Sequence, residues 1–281
     1  MLAPPGVALP IELAILVCAS LKHHEVHALR GVCRAMRAAH GASVTSATWL
    51  CSDRMTSSPV WICGIYRLRD QLHKLSLCFS GVTDLAPLVL LPKLATLDIS
   101  WNALSDLRPL TSLTSLTSLN LENTHVEDLT QISGLTTLRE LRLSRSRVSG
   151  DVSALSGLTQ LVLLDMRHLQ VPDVGRSLSA LTRLTQLDLD FTPVRDLSAF
   201  TALTNLVSLS LHDTPVADIS ALSGLIALTS LSLSFTRVAN ASLLSGLSNL
   251  AELQLYGSKV KKASALAALA GLTALTFLSE L

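Results

Sequence analysis

The sequence predicts an α/β solenoid, a horseshoe with a parallel sheet along its concave face, preceded by a small N-terminal helical module. Three observations carry that expectation. Leucine returns at Leu75, Leu97, Leu119, Leu141, Leu164, Leu187, Leu209, Leu231, Leu253 and Leu275, at intervals of 22, 22, 22, 23, 23, 22, 22, 22 and 22. Around each of them the pattern L-x-x-L-x-L alternates, as a strand with one buried face does. The residues ahead of residue 68 lack the period and instead carry apolar positions at helical spacing. A fixed period of this size is one supersecondary unit stacked on copies of itself, which leaves one long surface open for binding.

The organisation follows. Residues 1–50 form the helical module, 51–67 a linker and cap, and 68–281 the repeats. Ten strands at ~4.8 Å spacing predict a sheet roughly 43 Å across. Hydrophobic residues make up 49% of the chain but aromatics only 4%, so leucine and alanine fill the core. The net charge of +1 offers no basic field for nucleic acid or an anionic membrane. The five cysteines, Cys18, Cys33, Cys51, Cys63 and Cys78, lie early in the chain with no C-x-x-C pair, which points to reduced thiols and a cytoplasmic or nuclear protein. Ala8–Leu21 is apolar, but Glu12 interrupts it and no Lys or Arg precedes it, against a signal peptide. The uncharged stretch Ala263–Ser279 fits the repeat pattern better than a membrane span.

Within a repeat, Leu116–Leu138 serves as the type. Leu119-Asn120-Leu121 is the strand. The series Ser80, Asn102, Thr124, Ser146, Leu169, Thr192, Thr214, Thr236, Ser258 follows it, and a buried hydroxyl or amide there can satisfy loop backbone groups. Leu169 breaks that series. Then comes an acid in register: Asp84, Asp106, Asp128, Asp151, Asp173, Asp196 and Asp218, followed by Asn240. Asp and Asn cap helix starts, so each predicts a short helical turn such as Leu129–Leu135 rather than a metal site. Lys262 replaces the cap in the last repeat, which predicts a looser, self-associating C-terminal edge on an otherwise monomeric chain.

These repeats resemble the bacterial and protozoan style of short leucine-rich repeat, L-x-x-L-x-L-x-x-T-x-V-x-D-L-S-x-L-x-x-L. The resemblance covers about three quarters of the chain and speaks to fold, not to function. Residues 9–39 resemble an F-box: Leu9-Pro10-Ile11-Glu12-Leu13, then Ile15-Leu16 and Leu21, closing on Val32-Cys33-Arg34-x-x-Arg37. Met36 stands where that family usually has Trp. The resemblance implies a subunit of a Skp–cullin–F-box ubiquitin ligase. Leu9, Pro10, Leu13, Leu16, Leu21, Val32 and Cys33 would then meet the Skp adaptor or the box's own core. Read without the resemblance, the same segment is a helical cap on the first repeat, and the chain a non-catalytic scaffold or regulator, for example phosphatase-binding. A secreted effector or adhesion protein is a third reading.

No catalytic or cofactor motif is present. His23, His24 and His27 lack the carboxylates or cysteines that would complete a metal site, and no phosphate loop, G-x-S-x-G or H-E-x-x-H occurs. The expected activity is binding a target protein on the concave face, without a cofactor. Arg142, Arg145 and Arg167 gather in the middle repeats beside Glu122, with Asp165, Asp188 and Asp190 next to them. Trp101, Phe191 and His212 complete the expected target site, since Trp and Arg most often dominate binding energy.

Overall fold

The computed structural model describes residues 46–48, 70–261 and 269–278. The residues expected to meet an adaptor, Leu9, Pro10, Leu13, Leu16, Leu21, Val32 and Cys33, lie outside them, as do the three N-terminal histidines and Lys262. Eleven short strands form one sheet in chain order. They are β1 (Ser46–Thr48), β2 (Lys74–Ser76), β3 (Thr96–Asp98), β4 (Ser118–Asn120), β5 (Glu140–Arg142) and β6 (Leu163–Asp165). β7 (Gln186–Asp188), β8 (Ser208–Ser210), β9 (Ser230–Ser232), β10 (Glu252–Gln254) and β11 (Phe277–Leu278) complete it. Every neighbouring pair is parallel. From β2 to β10 the expected leucines align one on the next, Leu75 on Leu97 through Leu231 on Leu253.

Two ends differ from the periodic expectation. β1 adds a strand ahead of the first leucine repeat, inside the stretch assigned above to the helical module. At the other end Leu278, not Leu275, pairs with Leu253. The last repeat is therefore out of register with the leucine count. Both Phe277 and Leu278 are exposed, while Leu275 packs at the margin of the core.

Each repeat buries one face of its strand and then crosses back over a short turn. In the type repeat Leu119, Leu121, Val126, Leu129, Ile132, Leu135 and Leu138 are all at most 1% exposed. The returning turns are 3-10 helices of three to five residues, such as Thr130–Ile132 and Arg108–Ser112. They are shorter than the expected Leu129–Leu135 turn. The register acids sit one residue ahead of the formal cap, and each accepts from the backbone N–H two residues on, as Asp128 Oδ1 does from Thr130 at 2.8 Å. Asp84, Asp106, Asp151, Asp173, Asp196, Asp218 and Asn240 repeat this contact. The acids are thus turn-starters, as their register implied, and they satisfy the first N–H of the helix.

The two 23-residue repeats place their extra residue differently. Between Leu141 and Leu164 it falls before the acid, at Gly150, whose φ of +74° only glycine adopts without strain. Between Leu164 and Leu187 it falls after Asp173. There the turn widens to α, Gly175–Leu178, with Leu178 N–H donating to Val174 at 3.0 Å.

Candidate protein-binding face

Strand residues that alternate with the buried leucines lie on the open face of the sheet. They run in three columns. The last residue of each strand opens the first column, where Asp98, Asn120, Asp165 and Asp188 accept the N–H two residues on, at 3.0 to 3.1 Å. The second column holds Ser100, Glu122, Ser144, Arg167, Asp190, His212, Ser234 and Tyr256.

The third column has a backbone that its sequence does not advertise. Phe79, Trp101, Asn123, Arg145, His168, Phe191, Asp213 and Phe235 all adopt left-handed φ, from 51° to 62°, and Gly257 continues the series at 67°. The ladder holds them there. Each N–H donates to the second-column carbonyl of the next repeat, Trp101 to Glu122 at 2.8 Å and Phe191 to His212 at 2.8 Å. Glycine, asparagine and aspartate tolerate this conformation, as at Gly257, Asn123 and Asp213; a bulky side chain costs on the order of 1–3 kcal/mol. Phe79, Trp101, Phe191 and Phe235 bear that cost with rings 66%, 42%, 40% and 48% exposed.

The rings of the later repeats touch. His168 stacks on Phe191, with centroids 4.5 Å apart and planes within 5°. Phe191 meets His212 edge-on at 5.1 Å, His212 meets Phe235 at 5.3 Å, and Phe235 meets Tyr256 at 5.2 Å. Across five repeats the ring chain starts with two third-column rings, His168 and Phe191, and then alternates through His212 in the second column, Phe235 in the third and Tyr256 in the second. Gly257 makes room for it: a Cβ there would stand 2.7 Å from Phe235 Cδ1.

The expected arginine cluster is largely paired within the molecule. Arg167 binds Asp165 with two bonds, 3.0 and 2.6 Å, and reaches Asp188 at 3.4 Å. Arg142 bridges to Glu140 at 3.2 Å. Arg145 is exposed in the left-handed column, and Glu122 adds its field to that of the acids around Arg167. Asp190 accepts from Ser210 Oγ and from His212 N–H at 2.8 Å. Burial, reinforced by the neighbouring carboxylates of Asp190 and Asp165, pushes Asp188 up to about 6. Arg142, Asp165, Gln186, Asp188, Ser208 and Ser210 help line a shallow depression in the middle of this face.

No protein-family model matches the chain, and no curated protein matches it in sequence. Solved structures do. An internalin (inlF) from Listeria monocytogenes matches with a TM-score of 0.65 and 26% identity, over 84% of this chain and 74% of that one. Internalin C2 (inlC2) from the same species matches with a TM-score of 0.60 and 27% identity, over 76% of this chain and 83% of that one. The fold is a leucine-rich-repeat solenoid. The leucine-rich-repeat ectodomain of the plant membrane receptor kinase GASSHO1/SCHENGEN3 from Arabidopsis thaliana, in complex with CASPARIAN STRIP INTEGRITY FACTOR 2, also matches, with a TM-score of 0.65 and 21% identity. This chain spans 30% of that ectodomain's length, and the likeness is one of fold alone.

In this leucine-rich-repeat solenoid the expected target residues divide. Phe191 and His212 join one ring chain; Arg167, Asp165 and Asp188 form one ion-paired group; Trp101 stands apart near the first repeats. His168, Phe235 and Tyr256 belong with Phe191 but are missing from the expected site. Asn123, Asp213 and Gly257 share the register of His168 and Phe235, but Tyr256 lies in the neighbouring column, and the contacts between columns carry no signal in the residues alone. Among the described residues no group of three or more His, Cys, Asp or Glu is placed to hold a metal, and no helix is long and apolar enough to cross a membrane.

Proposed function

We propose that the chain is a non-catalytic scaffold holding a protein partner across the open face of its sheet. One observation carries the reading: large exposed rings occupy a backbone position suited to glycine or asparagine. Each ring leaves apolar surface in water at a position where a smaller residue would avoid backbone strain, and the cost of that exposure is offset when a partner covers it. The similar plant ectodomain is found in complex with CASPARIAN STRIP INTEGRITY FACTOR 2, in line with such use of the fold. Photo-activatable residues tested in place of Asn123 and Asp213, on the open face, should cross-link the partner recovered from source cells. The same probe in place of Ser156 or Ser223, on the turn side, should not. The reverse pattern would overturn the reading.

The finer form of the proposal is the substrate-recognition subunit of a Skp–cullin–F-box ubiquitin ligase, acting in the cytoplasm or nucleus. Its support is the run Leu9-Pro10-x-Glu12-Leu13 together with Val32-Cys33-Arg34, which a plain helical cap does not need. The solenoid would then raise the effective concentration of a target lysine near the ligase. Capture of a Skp adaptor by the chain should vanish on combining Leu9→Ala with Pro10→Ala, or on Leu21→Asp, with circular dichroism unchanged. Equal capture by wild type and variants removes the ubiquitin reading and leaves the scaffold.

A further inference from the structure

We infer that the ring chain of His168, Phe191, His212, Phe235 and Tyr256, interleaved with Asp190 and Asp213, is a track for an extended protein segment rich in arginine and lysine. The inference rests on the scaffold reading above and adds the chemistry of the partner.

The rings supply the first argument. They cross from β6 to β10, four inter-strand steps, so the track is roughly 19 Å long and takes about six residues of extended chain. Phe191, Phe235 and Tyr256 are 40%, 48% and 57% exposed despite their mutual contacts. Phe191, Phe235 and Tyr256 therefore keep roughly half of their surface open to a partner.

Charge selects the occupant. From β7 to β10 the three open-face columns hold Asp188, Asp190 and Asp213 and no lysine or arginine. The nearest arginine in the columns, Arg167, is taken up by Asp165 and Asp188. Arg195, Arg237 and Lys259 come later in their repeats, past the ring column. A guanidinium or ammonium laid over a ring face beside a carboxylate gains a cation–π contact and an ion pair together. A nucleic acid or an acidic segment would meet repulsion from the same carboxylates. A purely apolar segment would desolvate Asp190 and Asp213 without return.

The test uses the full chain and a labelled peptide of alternating arginine and serine, followed by fluorescence anisotropy. The arginine peptide should bind at least roughly tenfold more tightly than its glutamine counterpart, and a glutamate counterpart should not bind. Combining Phe191→Ala with Phe235→Ala should lower arginine-peptide affinity roughly tenfold or more, while Trp101→Ala leaves it unchanged. Equal binding of the glutamine peptide, or indifference to the ring variants, overturns the inference. If photo-cross-links still place the natural partner on the open face while the arginine peptide fails, the scaffold stands and the basic track falls. If the ring variants instead change the sedimentation of the chain alone, and the peptide does not compete, the occupant is a second copy of this chain and the inference is likewise wrong.

Discussion

Between Leu75 and Leu97 two neighbouring repeats are tied by the buried side chain of Asn102; between Leu164 and Leu253 neighbours touch on the open face through rings. In the first region Asn102 reaches back into the preceding repeat. Its Oδ1 accepts from Ser80 and Val82 N–H at 3.1 and 3.0 Å, and its Nδ2 donates to the Leu77, Ile99 and Ser100 carbonyls at 2.8, 2.9 and 3.0 Å. In the second region Thr192, Thr214 and Thr236 hold the same register. Each hydroxyl donates only to a carbonyl of its own repeat, three residues back, at 2.6 to 2.7 Å. The contrast is one of reach. An amide carries two donors and two acceptor sites on a longer stem, so it can join two repeats; a threonine hydroxyl serves one. From Leu164 to Leu253 the ladder threonines are local, and side-chain contacts between repeats are made elsewhere: by Thr185 and Asn205 to the preceding repeat, and on the open face by His168, Phe191, His212, Phe235 and Tyr256.

The largest expected effect tests that reach. Asn102→Ala strips partners from two buried N–H groups and three carbonyls, and should lower stability by about 3–5 kcal/mol. Thr192→Ala should cost about 1 kcal/mol, since it frees one carbonyl. Urea midpoints measure both, and equal losses would abolish the distinction between the regions.

Acidity separates the turn-starting acids, Asp218 in the later repeats among them, from the open face. Asp106 is held down to about 2 by hydrogen bonds from Arg108, and Asp128 is lowered by those from Thr130. Their stabilising contribution is full above the ordinary carboxylate value and is lost as pH falls toward and below it. Asp188 runs the other way: burial raises it to about 6, so its penalty is fully felt above 6 and is relieved as pH falls from 6 toward 4. Asp188→Asn should therefore raise stability at pH 7 by roughly 1–2 kcal/mol, after discounting for its partial exposure, and do little at pH 4. Melting temperatures at the two pH values check this. An equal gain at both would show that the carboxylate's titration is not the cause.

The smallest effect lies at the junction. Ser146 occupies the ladder position between Thr124 and Leu169, and its buried hydroxyl has no partner. Ser146→Ala should raise stability by about 0.5–1 kcal/mol, while Thr214→Ala in a regular repeat lowers it by about the same. A loss in both would mean that Ser146 is satisfied after all.

Much was legible in the residues, and for a physical reason. A repeat that cannot bury its leucines alone must stack, so period, strand register and core from Leu75 to Leu253 follow from spacing. The acids, expected as helix caps, stand one residue ahead of the cap and still hold the first helical N–H, because Asp and Asn bond their own local backbone. At β11 counting failed: Leu275 fits the period, yet Leu278 takes the register beside Leu253. The arginine cluster was visible as composition, but not its pairing. Whether Arg167 faces solvent or two aspartates depends on the offset between strands, and that is a tertiary distance.

By itself, then, the sequence determined a stacked parallel sheet, its leucine core and the turn-starting acids, because each depends on contacts repeated at one fixed spacing. Only the tertiary structure decided that Phe79, Trp101, Phe191 and Phe235 sit on left-handed backbone, and that Tyr256 and His168 join Phe191. Those outcomes depend on how each repeat's exit turn bonds to the next strand and on rings in two different columns meeting across repeats, neither of which a linear period encodes.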